Sequence, residues 1–177
     1  PAVAGGNIGA AALELPTLKA DGVYVIELSS YQLELCQTAG FPIGIWLNLT
    51  PDHLDRHGGL HGYAAAKSRL WRNTGAGDVA IIGTDAAFGQ AEAARAAAAG
   101  RRVIPISGTS APAGGVGVAE SMLVSHMGET AAMLANLADC PALPGAHNGE
   151  NAAAAAAAAL CLGLTPAQIA AGLKSFP

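Results

Sequence analysis

The chain has 177 residues, of which 51% are hydrophobic and 12% charged, and its formal net charge is −4. That length allows one domain with a sizeable core, and that composition excludes a disordered chain. The absence of a basic run argues against nucleic acid or an anionic membrane as the main partner, and no apolar run is long enough to span a bilayer. The opening residues lack the pattern of a signal peptide.

Ala4 to Gly9, AGGNIG, is a glycine-rich turn without the GxxxxGK[ST] pattern of a phosphate loop, and it leads to a predicted helix over 10–15 stopped by Pro16. Gly22 to Ser30, GVYVIELSS, is a continuous apolar run that predicts a strand buried on both faces, as in a parallel sheet. Glu27 closes that run. At the carboxyl end of a parallel strand it stands where α/β sheets place ligands, or else it caps the next helix. Residues 31–39 read as a short helix or crossover, and 43–49, IGIWLNL, as a second buried strand with His53 just beyond it. Glu27 and His53 are therefore expected on one edge of one sheet.

The stretch Asn48 to Arg72 joins Asp52, His53 and Asp55 to a helix predicted over 63–72. On a helical wheel Lys67 falls among Tyr63, Leu70 and Trp71, with Arg69 and Arg72 pointing away. A lysine on an apolar face has two readings. Its stem packs while its ammonium reaches water, or desolvation favours a neutral amine fit for chemistry. A strand over 78–83 follows, then an alanine-rich helix to Ala99 capped by Thr84 or Asp85, with Gly100 ending it, and a strand over 102–107. Alternating strands and helices with short links predict a doubly wound, mostly parallel α/β sheet. Beyond Gly108 the pattern changes, and 116–137 predicts a small antiparallel region with a turn at Met127-Gly128. An alanine-rich helix follows Asn148 and Asn151, and Thr165-Pro166 with Gln168 starts a last helix to Phe176. Cys36, Cys140 and Cys161 lie far apart without CxxC spacing, and read as thiols of a reducing compartment.

Glu27, His53 and Lys67 form the candidate constellation. A carboxylate and one imidazole without HxH or HExxH spacing are a weak zinc set. Magnesium accepts few protein ligands, because phosphates and water complete its shell. A neutral lysine amine can react with carbon dioxide to give an anionic carbamate, which would serve as a further oxygen ligand.

GGNIG (5–9), ELSSYQLE (27–34), NLTPDHLDRH (48–57), YAAAK (63–67) and GAHNGEN (145–151) stand in the order and spacing of the Mur ligases. These are ATP-dependent amide-bond-forming enzymes of bacterial cell-wall synthesis, and the chain resembles their central ATPase domain across its whole length. The block ELSSYQLE is most similar to the members that add D-glutamate to UDP-N-acetylmuramoyl-L-alanine. The resemblance implies a magnesium-binding role for Glu27, a second magnesium held by His53, and a carbamylated Lys67 completing that second site. It implies that Asn7, Ser29, Ser30 and Gln32 lie where the UDP-muramoyl substrate is received. Asn148 and Asn151 resemble asparagines that read adenine, although asparagines at a helix start are commonly caps.

The same resemblance implies a cytoplasmic enzyme, monomeric when full length, in which residues 1–177 form the central ATP-binding domain. The family's phosphate loop is expected just upstream of Pro1, with a uridine-binding domain before it and a further domain after Pro177. The excised sheet would then have an exposed apolar edge. Two other readings remain open. One is a non-catalytic domain of the same fold that binds a nucleotide or partner, or a sister ligase using another amino acid. The other is a metal hydrolase built on a carbamylated lysine.

Overall fold

The computed structural model describes residues 1–177. Its contacts divide it into two compact units, residues 1–39 with 51–72, and residues 40–50 with 73–177.

In the first unit, strands β1 (Ala2–Gly6) and β2 (Val23–Glu27) pair in parallel, with Ala2 opposite Val23 and Gly6 opposite Glu27. The expected burial of β2 on both faces is not found, because Tyr24 is 45% and Val25 56% exposed. The strand pairs with β1 alone, and only Val23 and Ile26 of its apolar residues are partly buried. The predicted helix over 10–15 is one 3-10 turn, Ala12–Glu14, without a side-chain cap and closely followed by Pro16.

Helix α1 (Ser30–Leu35) starts at a complete capping box, in which Ser29 and Gln32 each satisfy the other's backbone. A single turn α2 (Leu54–His57) precedes α3 (Leu60–Lys67), and the chain continues as a 3-10 turn, Ser68–Trp71. The longer α-helix expected over 63–72 therefore tightens after Lys67. Arg69 donates to the carbonyls of Leu33 (2.9 Å) and Glu34 (2.8 Å). These belong to the unsatisfied end of α1, so a charged donor ties the two helical segments together. Leu33, Tyr63, Ala66 and Trp71 are the buried hydrophobic residues of this unit.

The second unit carries a six-stranded sheet in sequential order: β3 (Ile43–Trp46), β4 (Val79–Gly83), β5 (Arg102–Ser107), β6 (Val116–Ala119), β7 (Met122–Ser125) and β8 (Ala132–Asn136). The pairs from β3 to β6 are parallel and the last two are antiparallel. The mostly parallel α/β class and the antiparallel region near 116–137 thus stand as expected. The strands ending in Glu27 and preceding His53 do not share a sheet. β2 pairs with β1, whereas β3 pairs with β4.

Helices α4 (Ala87–Ala98), α5 (Gly145–Cys161) and α6 (Pro166–Lys174) complete this unit. Its core joins Ile81, Ile104, Ile106, Val116 and Leu123 of the sheet to Ala152, Ala153, Ala156 and Ala157 of α5. Alanines allow the helix to approach closely, and Gly108 makes room for it. A β-carbon there would collide with the Ala146 carbonyl. Asp85 does not cap α4, whose N-cap is Ala86 without a side-chain bond. Its carboxylate instead accepts from the Ser107 hydroxyl and the Gly108 amide (2.9 Å) at the end of β5.

Candidate functional site

Glu27 and Asn7 meet because their strands end in register. Asn7 Nδ2 donates to Glu27 Oε1 at 3.2 Å, and the Asn7 amide donates to the Glu27 carbonyl at 2.9 Å. The Glu27 side chain is therefore an exposed, oriented carboxylate at the carboxyl end of a parallel strand. Ser29 and Gln32 are engaged in starting α1, with Ser29 N donating to Gln32 Oε1 at 2.8 Å and Ser29 Oγ accepting from Gln32 N at 3.3 Å. Ser30 is buried, and its hydroxyl lies 3.0 Å from His57 Nε2.

His53 sits in the left-handed region (φ 51°) as the residue before α2. Asp52 accepts from its backbone amide (2.8 Å) and approaches its Nε2 at 3.3 Å, which fixes an exposed ring. Tyr31 meets this ring edge-on at 5.0 Å, and Tyr63 does so at 6.2 Å. Lys67 is half-buried, with Nζ 5.1 Å from the Tyr63 ring centroid. His53 and Lys67 thus share one aromatic neighbour, four residues before the lysine on α3. Neither makes a direct hydrogen bond or ion pair with Glu27. Leu70 and Trp71, expected beside Lys67, lie on the following 3-10 turn, whose tighter winding departs from the helical wheel.

His57 is the residue that sequence reasoning passed over. Its side chain is 1% exposed, its Nδ1 lies 3.2 Å from Glu34 Oε1, and its ring stacks on Tyr63 at 5.3 Å with planes 25° apart. The only sequence signal was its place one helical turn after His53. Glu34 also accepts from Arg56 at 2.7 Å, and that guanidinium, with His57 adding to it, holds the carboxyl below its ordinary value.

In the second unit, Asn148 and Asn151 lie in the first turns of α5. Asn148 Nδ2 donates to the Pro144 carbonyl at 2.9 Å, a bond back along its own helix, and α5 has no side-chain cap. With Gln168 the two asparagines add polar groups to a groove of about 330 Å³ between α5 and α6, walled mainly by alanine and leucine. Between them, Glu150 is buried and accepts from Asn48 Nδ2 at 3.1 Å. Burial pushes its carboxyl up, nearby Asp85 adds to this, and the Asn48 bond and His147 oppose it.

No three His, Cys, Asp or Glu side chains converge as a metal cage. That donor set does not fit zinc held by protein alone. Magnesium takes one or two protein ligands and draws the rest from phosphate and water, and the exposed Glu27 carboxylate and His53 imidazole are groups that could each supply one.

The Mur ligase middle-domain pattern matches residues 10–159, which include Glu27, His53, Lys67, Asn148 and Asn151. The chain belongs to the Mur ligase family. Across its whole length it is 46% identical to the UDP-N-acetylmuramoylalanine–D-glutamate ligase of Paramagnetospirillum magneticum, of which it spans 38%. It is 47% identical over 174 residues to the ligase of the same name from Caulobacter sp. strain K31, of which it spans 37%. Among solved structures, MurF from Acinetobacter baumannii superposes with a TM-score of 0.59 at 22% identity, covering 88% of this chain and 34% of that one. At that identity the superposition speaks for the Mur ligase fold alone. No helix is long and apolar enough to cross a membrane.

Proposed function

We propose that this chain is the ATP-binding central domain of a cytoplasmic ligase that joins D-glutamate to UDP-N-acetylmuramoyl-L-alanine in peptidoglycan synthesis. One observation carries the reading: identity of 46% along the entire chain to a ligase named for that reaction. The ligase spans more than this chain, so the activity is assigned to the full-length protein.

The reaction proceeds through an acyl phosphate. A carboxylate oxygen of the substrate attacks the γ-phosphorus of ATP and ADP leaves. The amino group of D-glutamate then attacks the acyl carbon, and inorganic phosphate departs with the acyl oxygen. Bound magnesium would neutralise charge that builds on the transferring phosphoryl group. Glu27, oriented by Asn7, presents a carboxylate for that cation, and His53, oriented by Asp52, presents an imidazole nitrogen.

Lys67 serves as a carbamate in this reading. Its neutral amine attacks carbon dioxide, a proton passes to water, and an anionic group remains. The Tyr63 ring face attracts an ammonium, so modification also requires Nζ to leave the ring. Asn7, Ser29 and Gln32 mark the side that receives the UDP-muramoyl group. Ser30 supports them from within. Asn148 and Asn151 offer amides for the edge of adenine.

Phosphate release by the full-length protein with UDP-N-acetylmuramoyl-L-alanine and ATP tests the assignment. D-glutamate is expected to be the preferred amine. Equal or faster turnover with L-alanine or a diamino acid would place the chain with a sister ligase. Nucleotide binding without turnover on any amine would favour the non-catalytic alternative.

A further inference from the structure

His57 is clamped at both ring nitrogens inside the first unit. Glu34 Oε1 lies 3.2 Å from Nδ1 and Ser30 Oγ lies 3.0 Å from Nε2. The order Ser30, His57, Glu34 is that of a nucleophilic triad. An acylating serine must reach its substrate, however, and Ser30 is 3% exposed. The set is better suited to holding a ring still than to attacking a carbonyl.

What the held ring touches gives the clamp a purpose. One face of His57 stacks on Tyr63 (5.3 Å, 25°), and Tyr31 tilts against it at 5.7 Å. Those two tyrosines are also the ring neighbours of His53, and Tyr63 is the ring beneath Lys67 Nζ. An imidazole bonded at one nitrogen could pivot about that bond. Bonded at two, it has a fixed plane, and a stacked phenol must follow that plane.

We propose that His57 is a positioning residue of this ligase: through Tyr63 and Tyr31 it sets where Lys67 and His53 stand. Glu34 and Ser30 are its supports, and Arg56 steadies Glu34 from the exposed side. The inference rests on the proposed ligase function for its consequence in turnover, but not for the geometry itself.

The full-length protein provides a readout independent of turnover. In buffer depleted of carbon dioxide and bicarbonate, where Lys67 carries no carbamate, reductive methylation with carbon-13 formaldehyde converts lysines to dimethyl-lysines that keep their charge, and loss of a signal in Lys67→Arg identifies the Lys67 resonance. Because Nζ stands over the Tyr63 ring, this resonance is expected upfield of exposed lysines by ring current. His57→Ala should move it toward the exposed position. It should also lower kcat about 10²-fold, the scale of a group displaced by about 1 Å, while KM for ATP stays within about twofold. His57→Gln keeps an amide for Ser30 but has no ring, and should fall between the two. It decides the matter if His57→Ala does not fold by circular dichroism.

An unchanged Lys67 resonance in the folded variants would overturn the clamp. A shifted resonance with wild-type kcat would overturn its role in ligation. Failure of the wild-type protein to ligate D-glutamate would instead remove the functional assignment, and the resonance would still decide the geometry.

Discussion

Lys67 Nζ stands 5.1 Å from the centre of the Tyr63 ring, and Tyr63 also meets His53 edge-on at 6.2 Å. An arginine at position 67 would keep a cation over that ring, since guanidinium stacks well on aromatic faces, but it forms no carbamate. Lys67→Arg is therefore expected to preserve the melting temperature and abolish ligation in the full-length protein. Bicarbonate labelled with carbon-13 should give a carbamate signal in the wild type that Lys67→Ala removes. Wild-type ligation by Lys67→Arg would reduce Lys67 to a packed surface lysine.

Tyr63 is 7% exposed, and its ring rather than its hydroxyl makes the contacts that matter. Tyr63→Phe should be nearly neutral in urea unfolding. Tyr63→Ala should cost about 3–5 kcal/mol, the scale for removing a buried aromatic side chain. A cost below about 1 kcal/mol for the alanine variant would mean that the ring is not part of the packed interior.

Glu150 gives a pH prediction whose sign can be worked out. Its folded pKa is raised above the ordinary 4.5, chiefly by burial, so over the interval from 4.5 up to the folded value the folded state holds more proton than the unfolded chain. Stability attributable to this group falls as pH rises through that interval, and the penalty persists above it. Glu150→Gln can still accept from Asn48 and carries no charge. It should raise the melting temperature at pH 8 more than at pH 4, below the ordinary value. Glu34 has the opposite sign: its carboxyl is lowered, mainly by Arg56, so its contribution is present above 4.5 and is lost as pH falls through the lower folded value. A flat difference between wild type and Glu150→Gln across pH 4 to 8 would contradict the burial account.

Ser107 is 1% exposed and donates to Asp85 while accepting from the amides of Thr109 (3.1 Å) and Ser110 (2.9 Å). Removing the hydroxyl takes that acceptor from both amides and leaves Asp85 Oδ1 with only the longer bond from Thr109 Oγ1 at 3.3 Å. Ser107→Ala should destabilise the chain by about 1–3 kcal/mol in chemical denaturation. Ser107→Thr, which keeps the hydroxyl, should recover most of the loss if the added methyl is accommodated.

Much of this architecture could be read from local chemistry. The strands β3, β4 and β5 are short apolar runs between turn residues, and the start of α6 is written in Thr165, Pro166 and Gln168. The choice between one sheet and two was not legible, because β2 has the same apolar character as β3 and strand partners are chosen by distant residues. For the same reason Asp85 looked like a helix cap: its better donors, Ser107 and Gly108, lie more than twenty positions along the chain. Lys67 drew attention because a charge interrupted an apolar pattern. His57 interrupted none, and its importance comes from Glu34, Ser30 and Tyr63, which the chain brings to it only on folding.

The alanine face of α5 has a mechanical consequence. Ala152, Ala153, Ala156 and Ala157 have no side-chain rotamers to exchange, so the helix side of this contact cannot yield, and any adjustment falls on the close-packed sheet residues Ile81, Ile104, Ile106, Val116 and Leu123. The helix behaves as a shim of fixed thickness, and a larger residue at any of these four sites would lift it bodily. Asn148 and Asn151 ride at its leading end. Their height above the strand ends is thus set by methyl groups further along the same helix, and a sheet-side substitution that never touches them should still be felt as an altered fit for whatever those two amides meet.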